Sequence, residues 1–340
     1  MPDNRRFLLQ RRPDGEPVAE DFELVTQPTP DLGEGQFLIR NHYASLDPAM
    51  RGWMDAGGNY MPPVPLGSAM RASTIGVVED SRAAGFEPGQ WVMGLNALED
   101  YSVGVTGGFT QPIDPAMVPH VTNYLSIFGA VGMTAYFGFL DVCAPKPGET
   151  VLVTGAAGAV GSLVGQLAKI HDCRAVGIAG GAEKCARLTG KYGFDAAIDY
   201  RAFARDDEAG LSGAIADACP GGVDVIFENV GGTILDAGLM NLNLYGRVGL
   251  CGLISEYNTA PRGARNLWQL IVKRASIRGL LVSDYVERFG EGAAQMGQWA
   301  AAGQLAIDEH IDVGLEHAFD SFMRLFAGTN DGKMILQIAR

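Results

Sequence analysis

Three glycines spaced by three, Gly155, Gly158 and Gly161, interrupt the run Val151-Leu-Val-Thr-Gly155-Ala-Ala-Gly158-Ala-Val-Gly161-Ser-Leu-Val. The chemistry this spacing serves is the holding of phosphate by main chain. The first glycine allows a tight turn, the second lets backbone approach a pyrophosphate, and the third lets helix and strand pack closely. The N–H groups of such a turn and the positive end of the following helix then face the anion. An apolar strand-type run precedes the glycines, and Val160, Leu163, Val164, Leu167 and Ile170 follow on one helical face. Strand, glycine turn and helix are the context that makes the pattern a dinucleotide-binding fingerprint. The alternative is a glycine-rich packing turn in some other α/β protein.

A second group of residues bears on which dinucleotide fits. A site for NAD normally ends its second strand with Asp or Glu, about 20 residues beyond the glycines, to hold the ribose hydroxyls. Here the second strand, Arg174-Ala-Val-Gly-Ile-Ala179, runs into Gly180-Gly181 without a carboxylate. Lys184 and Arg187 follow on the next helix, and Tyr200-Arg201 closes the third strand. A 2′-phosphate is repelled by Asp and paired by Lys or Arg, so these residues point to NADP(H). Taken alone, Lys184 reads as a solvated helix charge; beside an acid-free strand end it reads as a phosphate ligand.

These residues require a sheet to position them. Strands are expected at Val151–Val153, Arg174–Ala179, Ala196–Asp199, Val223–Phe227, Arg247–Cys251 and Ile277–Val282, with helices between, as in a doubly wound parallel sheet. Before this, residues 1–128 are rich in Pro and Gly, with short β-type runs at Phe37–Arg40, Ala72–Val78 and Gln90–Met93. After about Asp284 a helical stretch runs through Trp299. The chain then returns to strands at Glu309–Val313 and Lys333–Ile338, around a helix near Ala318–Phe326. The expected fold is therefore α/β, with a mostly β domain from residues 1–128 and 300–340 and a nucleotide-binding domain from 129–299.

With 26 basic against 39 acidic residues, the net charge of −13 argues against nucleic acid or an anionic membrane as partner. Cofactor phosphates must then be held by local cations and backbone. No apolar run approaches the roughly 20 residues that span a bilayer. Met1-Pro-Asp-Asn-Arg-Arg is not followed by the apolar region of a secretory leader. Cys143, Cys173, Cys185, Cys219 and Cys251 form no CxxC pair, so neither a disulfide framework nor a zinc knuckle is indicated. A cytoplasmic protein is expected.

Several segments together resemble the medium-chain dehydrogenase/reductase superfamily. They are Ser45-Leu-Asp-Pro-Ala-Met-Arg-Gly52, Gly132-Met-Thr-Ala-Tyr136, the glycine loop, Gly181-Ala-Glu-Lys184, Glu228-Asn-Val-Gly-Gly232, Cys251-Gly-Leu-Ile-Ser255 with Tyr257-Asn258, and Gly332-Lys333. Within it the chain resembles the zinc-independent branch of prostaglandin reductases, alkenal double-bond reductases and curcumin reductase-like proteins. The resemblance implies a GroES-like domain wrapped around a Rossmann domain. It assigns Gly158, Ala159, Val160 and Gly161 to the pyrophosphate, and Lys184 and Tyr200 to the 2′-phosphate end. Thr134, Asn229, the segment Cys251, Gly252, Leu253, Ile254, Ser255 and Tyr257, then Leu280, Leu281, Val282 and Asn330 fall at positions lining ribose and nicotinamide. Relatives of this kind are commonly dimers, which makes the sixth strand a candidate to pair with its twin.

The zinc-dependent relatives carry a Gly-His-Glu motif and a four-cysteine lobe; this chain has Gly67-Ser68-Ala69-Met70-Arg71 in the corresponding stretch and no cysteine before Cys143. Catalytic zinc needs three protein ligands and an open fourth position, and no such set is expected. The reaction that fits is NADPH-dependent reduction of the carbon–carbon double bond of an α,β-unsaturated ketone or aldehyde. Hydride adds to the β carbon, and hydrogen-bond donors stabilise the enolate oxygen. Tyr257 is the candidate donor; its alternative reading is a loop aromatic that packs on the cofactor. Where relatives read Asp-Pro-Tyr-Met-Arg, this chain has Ala49, so Trp53 and Tyr60 are candidates to border a pocket for a bulky enone, although Trp53 also reads as core. Two other functions remain open: a zinc-independent NADP-dependent alcohol or hydroxy-lipid dehydrogenase, and a non-catalytic NADPH-binding protein.

Overall fold

The computed structural model describes residues 2–57 and 59–339. The chain forms two compact units. One comprises Met1–Leu125, Glu309–Asn330 and Met334–Arg340; the other comprises Ser126–Asp308 and Asp331–Lys333.

The first unit is built on β-sheets. A three-stranded sheet sets Asp3–Leu9 between Phe22–Pro28 and Ser68–Ala69. A seven-stranded sheet runs in the order Glu309–Val313, Lys333–Gln337, Gln36–Ser45, Arg71–Ser81, Trp91–Ala97 and Gln111–Pro112, with Tyr101–Val105 also paired to Gln36–Ser45. Its main core gathers Phe7, Leu9, Leu46, Met50, Met54, Met70 and Leu336, closed by Phe322 from the helix Ala318–Ala327.

The second unit holds a six-stranded parallel sheet in the order Ala196–Asp199, Arg174–Ala179, Thr150–Thr154, Val223–Glu228, Leu242–Leu250 and Ser276–Gly279. Alternation explains how it buries both faces. Val151, Val153, Val225 and Phe227 point into one apolar cluster, whereas Leu152, Val176, Ile178 and Ile226 point into another. The central strands Thr150–Thr154 and Arg174–Ala179 are near-continuous apolar runs because a parallel sheet is covered on both sides by helices. The helix Ala159–Ile170 buries Leu163, Val164, Leu167 and Ala168 against the first cluster. These two units are the GroES-like and Rossmann arrangement that the motifs imply.

Within the parallel sheet, two strands differ from expectation by more than one residue at an end. The fifth begins at Leu242, not Arg247, because Leu242 pairs with Val223 before a bulge at Tyr245 (φ 62°) and Gly246. The sixth is Ser276–Gly279; it ends before Leu280, and Val282–Arg288 is a 3-10 helix, the turn closing through Asp284 N–H to the Leu281 carbonyl at 3.1 Å. The apolar residues Leu280, Leu281 and Val282 concealed that change, since a strand and a turn can both be apolar over three residues.

Candidate active site

The carboxyl ends of the second unit's strands carry the candidate cofactor residues, where open parallel sheets bind ligands. At the end of Thr150–Thr154 the chain turns at Gly155 with φ 58°, a conformation glycine adopts without strain. A Cβ at Gly161 would lie 2.5 Å from the Gly155 carbonyl oxygen and 2.8 Å from the Ala156 Cα, both main chain, so this helix start admits only glycine. No side chain caps the helix at Gly158. The turn is further fixed by a main-chain bridge between Gly158 and Gly332. The loop therefore presents backbone without a side-chain cap at the positive end of a helix, which fits a pyrophosphate.

At the end of the second strand, Ala182–Gly190 places Lys184 half-buried. Burial lowers the proton affinity of its amine, and the positive charges of Arg201 and Arg187 lower it further while Asp331 opposes them. Arg187 donates to Asp331 at 2.9 Å and lies 3.6 Å from Glu183. A Cβ at Gly180 would lie 2.9 Å from both the Tyr200 hydroxyl and Arg201 Nε, which places those two side chains directly over the strand end. A cluster of three cations whose mutual repulsion is felt by the buried one fits a dianionic phosphate. One carboxylate does reach this turn. Asp199, from the neighbouring strand, accepts from Gly181 N–H at 2.7 Å and from Arg201 N–H at 2.9 Å. A reading along the second strand alone misses it, since Asp199 arrives from the adjacent strand; its oxygen is taken up by main-chain donors.

The next strand ends form a hydrogen-bonded network. Asn229 Nδ2 donates to the Thr154 carbonyl at 2.7 Å, and its N–H donates to Thr154 Oγ1 at 2.8 Å. The segment beyond Leu250 hangs from the same turn. Cys251 and Gly252 N–H groups donate to the Glu228 carbonyl, Ile254 N–H to Asn229, and Ser255 N–H to Val230. Tyr257 folds back so that its hydroxyl accepts from Leu253 N–H at 3.3 Å. Burial pushes the Cys251 thiol up to about 12, so it stays protonated.

Leu280 and Val282 pack against the first apolar cluster of the sheet. Leu281 lies between them, just beyond the sixth strand. Thr134 lies half-buried on the helix Ala130–Phe137, which packs on Ala159–Ile170. Ala49, Trp53, Tyr60 and Asn330 belong to the other unit. There Ala49 is half-buried, Tyr60 is exposed and Asn330 is buried. Trp53 is packed in the main core, with the Arg71 guanidinium 5.7 Å from its ring centroid. Among the described residues, no three His, Cys, Asp or Glu side chains are grouped so as to hold a metal ion.

Comparison with known proteins accords with this geometry. Residues 5–111 match the N-terminal domain of oxidoreductase, and residues 159–298 match the family described as zinc-binding dehydrogenase. The chain is 40% identical over 343 residues to an NADPH-dependent curcumin reductase of Escherichia coli, covering 99% of this chain and 97% of that one. It is 38% identical to a 2-alkenal reductase (NADP(+)-dependent) of Nicotiana tabacum, covering 99% and 98%. The crystal structure of CurA in complex with NADPH from Vibrio vulnificus superposes with a TM-score of 0.91 at 41% identity, covering 99% of each chain. The chain belongs to the medium-chain dehydrogenase/reductases, in the zinc-independent branch of alkenal and curcumin reductases.

Proposed function

We propose that this protein is an NADPH-dependent ene-reductase, which saturates the carbon–carbon double bond of α,β-unsaturated ketones or aldehydes. The observation that carries this reading is full-length identity of 40% and 38% to a curcumin reductase and a 2-alkenal reductase. The cation cluster around Lys184 agrees with it. NADPH, when bound, supplies the hydride. The chain supplies placement and charge. Main-chain N–H groups of Gly158–Gly161 hold the pyrophosphate, Lys184 and Tyr200 hold the 2′-phosphate end, and Thr134, Asn229, Cys251–Ser255, Leu280–Val282 and Asn330 line the ribose and nicotinamide. Tyr257 donates its hydroxyl proton as a hydrogen bond to the substrate carbonyl oxygen, where negative charge accumulates as the β carbon is reduced. One such donor contributes about 2.7–4 kcal/mol to the barrier. No step asks for a metal ion to polarise the carbonyl.

The second unit is assigned as the cofactor domain and the first as the substrate domain, with Ala49, Trp53 and Tyr60 bordering the enone. Trp53→Ala leaving KM unchanged for every active enone would overturn that border. A homodimer is proposed through the sheet edge at Ser276–Gly279. That strand, Ile277 included, is exposed along its length, and Leu267, Trp268 and Ile271 are exposed in the segment that precedes it. An open edge flanked by apolar side chains is self-complementary about a two-fold axis. A monomeric mass in light scattering refutes it. No helix among the described residues is long and apolar enough to cross a membrane. Five free cysteines suit a reducing compartment, and the cytoplasm is proposed.

The deciding experiment follows NADPH consumption against enones, enals, quinones and simple ketones, with products identified by mass spectrometry. A saturated product with an intact carbonyl is expected. An alcohol product would make the protein a carbonyl reductase or alcohol dehydrogenase. NADPH binding without turnover on any acceptor would make it a non-catalytic binder.

A further inference from the structure

The Val223–Glu228 strand buries Val225 and Phe227 in one apolar cluster and Ile226 in the other, and its last side chain is a carboxylate with no exposure to solvent. One oxygen, Oε1, accepts from Thr154 Oγ1 at 2.9 Å, Val230 N–H at 2.6 Å and Gly231 N–H at 2.7 Å. The other, Oε2, is buried and finds no partner among the described residues. Burying a carboxylate in this way is costly, and a strand end needs none for packing. The geometry shows what the group does there.

Thr154 is the last residue of the adjacent strand, and its hydroxyl faces two ways. It donates to Glu228 and accepts from Asn229 N–H at 2.8 Å. Gly231 takes φ of 82°, and the Val230 and Gly231 N–H groups turn inward to form a small anion-accepting concavity. The Glu228 side chain fills it. The three carbonyls of Glu228, Asn229 and Val230 then point outward, and each accepts from the Cys251–Ser255 segment.

We propose that Glu228 is a positioning residue of the cofactor site. Its carboxyl group ties the Thr154 strand end to the Asn229–Gly232 turn, and thereby fixes both Asn229 and the Cys251–Tyr257 segment. The assignment rests on the reading that NADPH lies over these strand ends, but concerns a residue that does not touch it.

The test measures NADPH affinity, melting temperature, and KM and kcat for one active enone. The proteins compared are the wild type, Glu228→Gln, Glu228→Asp, Thr154→Val and Thr154→Ser. Glutamine keeps the accepting Oε1, aspartate withdraws it by one methylene, and valine preserves the volume of Thr154 without its hydroxyl. Folded Glu228→Asp and Thr154→Val proteins are expected to bind NADPH about tenfold or more weakly. Glu228→Gln and Thr154→Ser are expected to stay within about threefold of the wild type, because each retains the bridging atom. Lowered melting temperatures with NADPH affinity, KM and kcat unchanged in Glu228→Asp and Thr154→Val would overturn the proposal and leave a structural role only. Equal losses in Glu228→Gln and Glu228→Asp would also overturn it. A wild type that fails to bind NADPH would overturn the cofactor reading itself, a result distinct from either.

Discussion

Replacing Lys184 by alanine tests the cofactor assignment most directly. The amine is half-buried at the head of the Ala182–Gly190 helix, with Arg201 and Arg187 near enough for their charge to be felt and Asp331 opposing them. A hydrogen bond from a charged donor contributes about 1.5–3 kcal/mol. At 1.4 kcal/mol per factor of ten, Lys184→Ala is expected to weaken NADPH binding about 10- to 150-fold. NADH has no 2′-phosphate, so its affinity is expected to change little, and the preference for NADPH should shrink by the same factor. Arg201 is more exposed, where a charge pair contributes about 0–1 kcal/mol, so Arg201→Ala should cost less than about fivefold. The assay is the dissociation constant and kcat/KM for both cofactors with one enone. Equal losses for NADPH and NADH would show that Lys184 supports the loop and not the phosphate. No loss for NADPH would remove it from the site.

Three further outcomes follow from the geometry. Gly161→Ala places a methyl 2.5 Å from the Gly155 carbonyl oxygen, and main chain must move; overpacking of this kind costs about 1–3 kcal/mol. At about 2–4 °C per kcal/mol, thermal melting should register it, and NADPH affinity should fall with it; an unchanged melting curve would refute the close approach. Tyr257→Phe should lower kcat about 10²- to 10³-fold with NADPH affinity retained; unchanged kcat reduces Tyr257 to packing. Glu228 gives the protein a pH dependence, because burial pushes its carboxyl from 4.5 up to about 7. The folded state then holds a proton that the unfolded state has released, so stability is greatest below about pH 4.5 for this group and falls as pH rises toward 7, by about 3 kcal/mol. Urea unfolding between pH 5 and 8 should show that fall in the wild type and a flatter profile in Glu228→Gln; identical slopes would refute it.

What the sequence discloses is order along one chain, and the candidate site is assembled across several of its strands. The glycine loop and the strands at Arg174–Ala179, Ala196–Asp199 and Glu309–Val313 were legible because their periodicity and turn residues are local. Asp199 and the Glu228–Thr154 bond were not, because their partners lie 18 and 74 residues away. A parallel sheet sets the last residues of successive strands side by side, so the charge at any one strand end is the sum over its neighbours. The second strand lacks an acid of its own, yet receives one from the third. What favours a 2′-phosphate there is therefore the balance. The Asp199 oxygen that reaches the turn is held by Gly181 and Arg201 main-chain N–H groups, whereas Lys184, Arg187 and Arg201 set three cations against Asp331 and Glu183 around the same turn. The same logic applies at the fourth strand, where a buried acid faces inward to main-chain donors and organises the turn. Asp199 and Glu228 thus each give one carboxylate oxygen to backbone N–H groups at the strand ends, which offsets part of their negative charge toward a neighbouring anion.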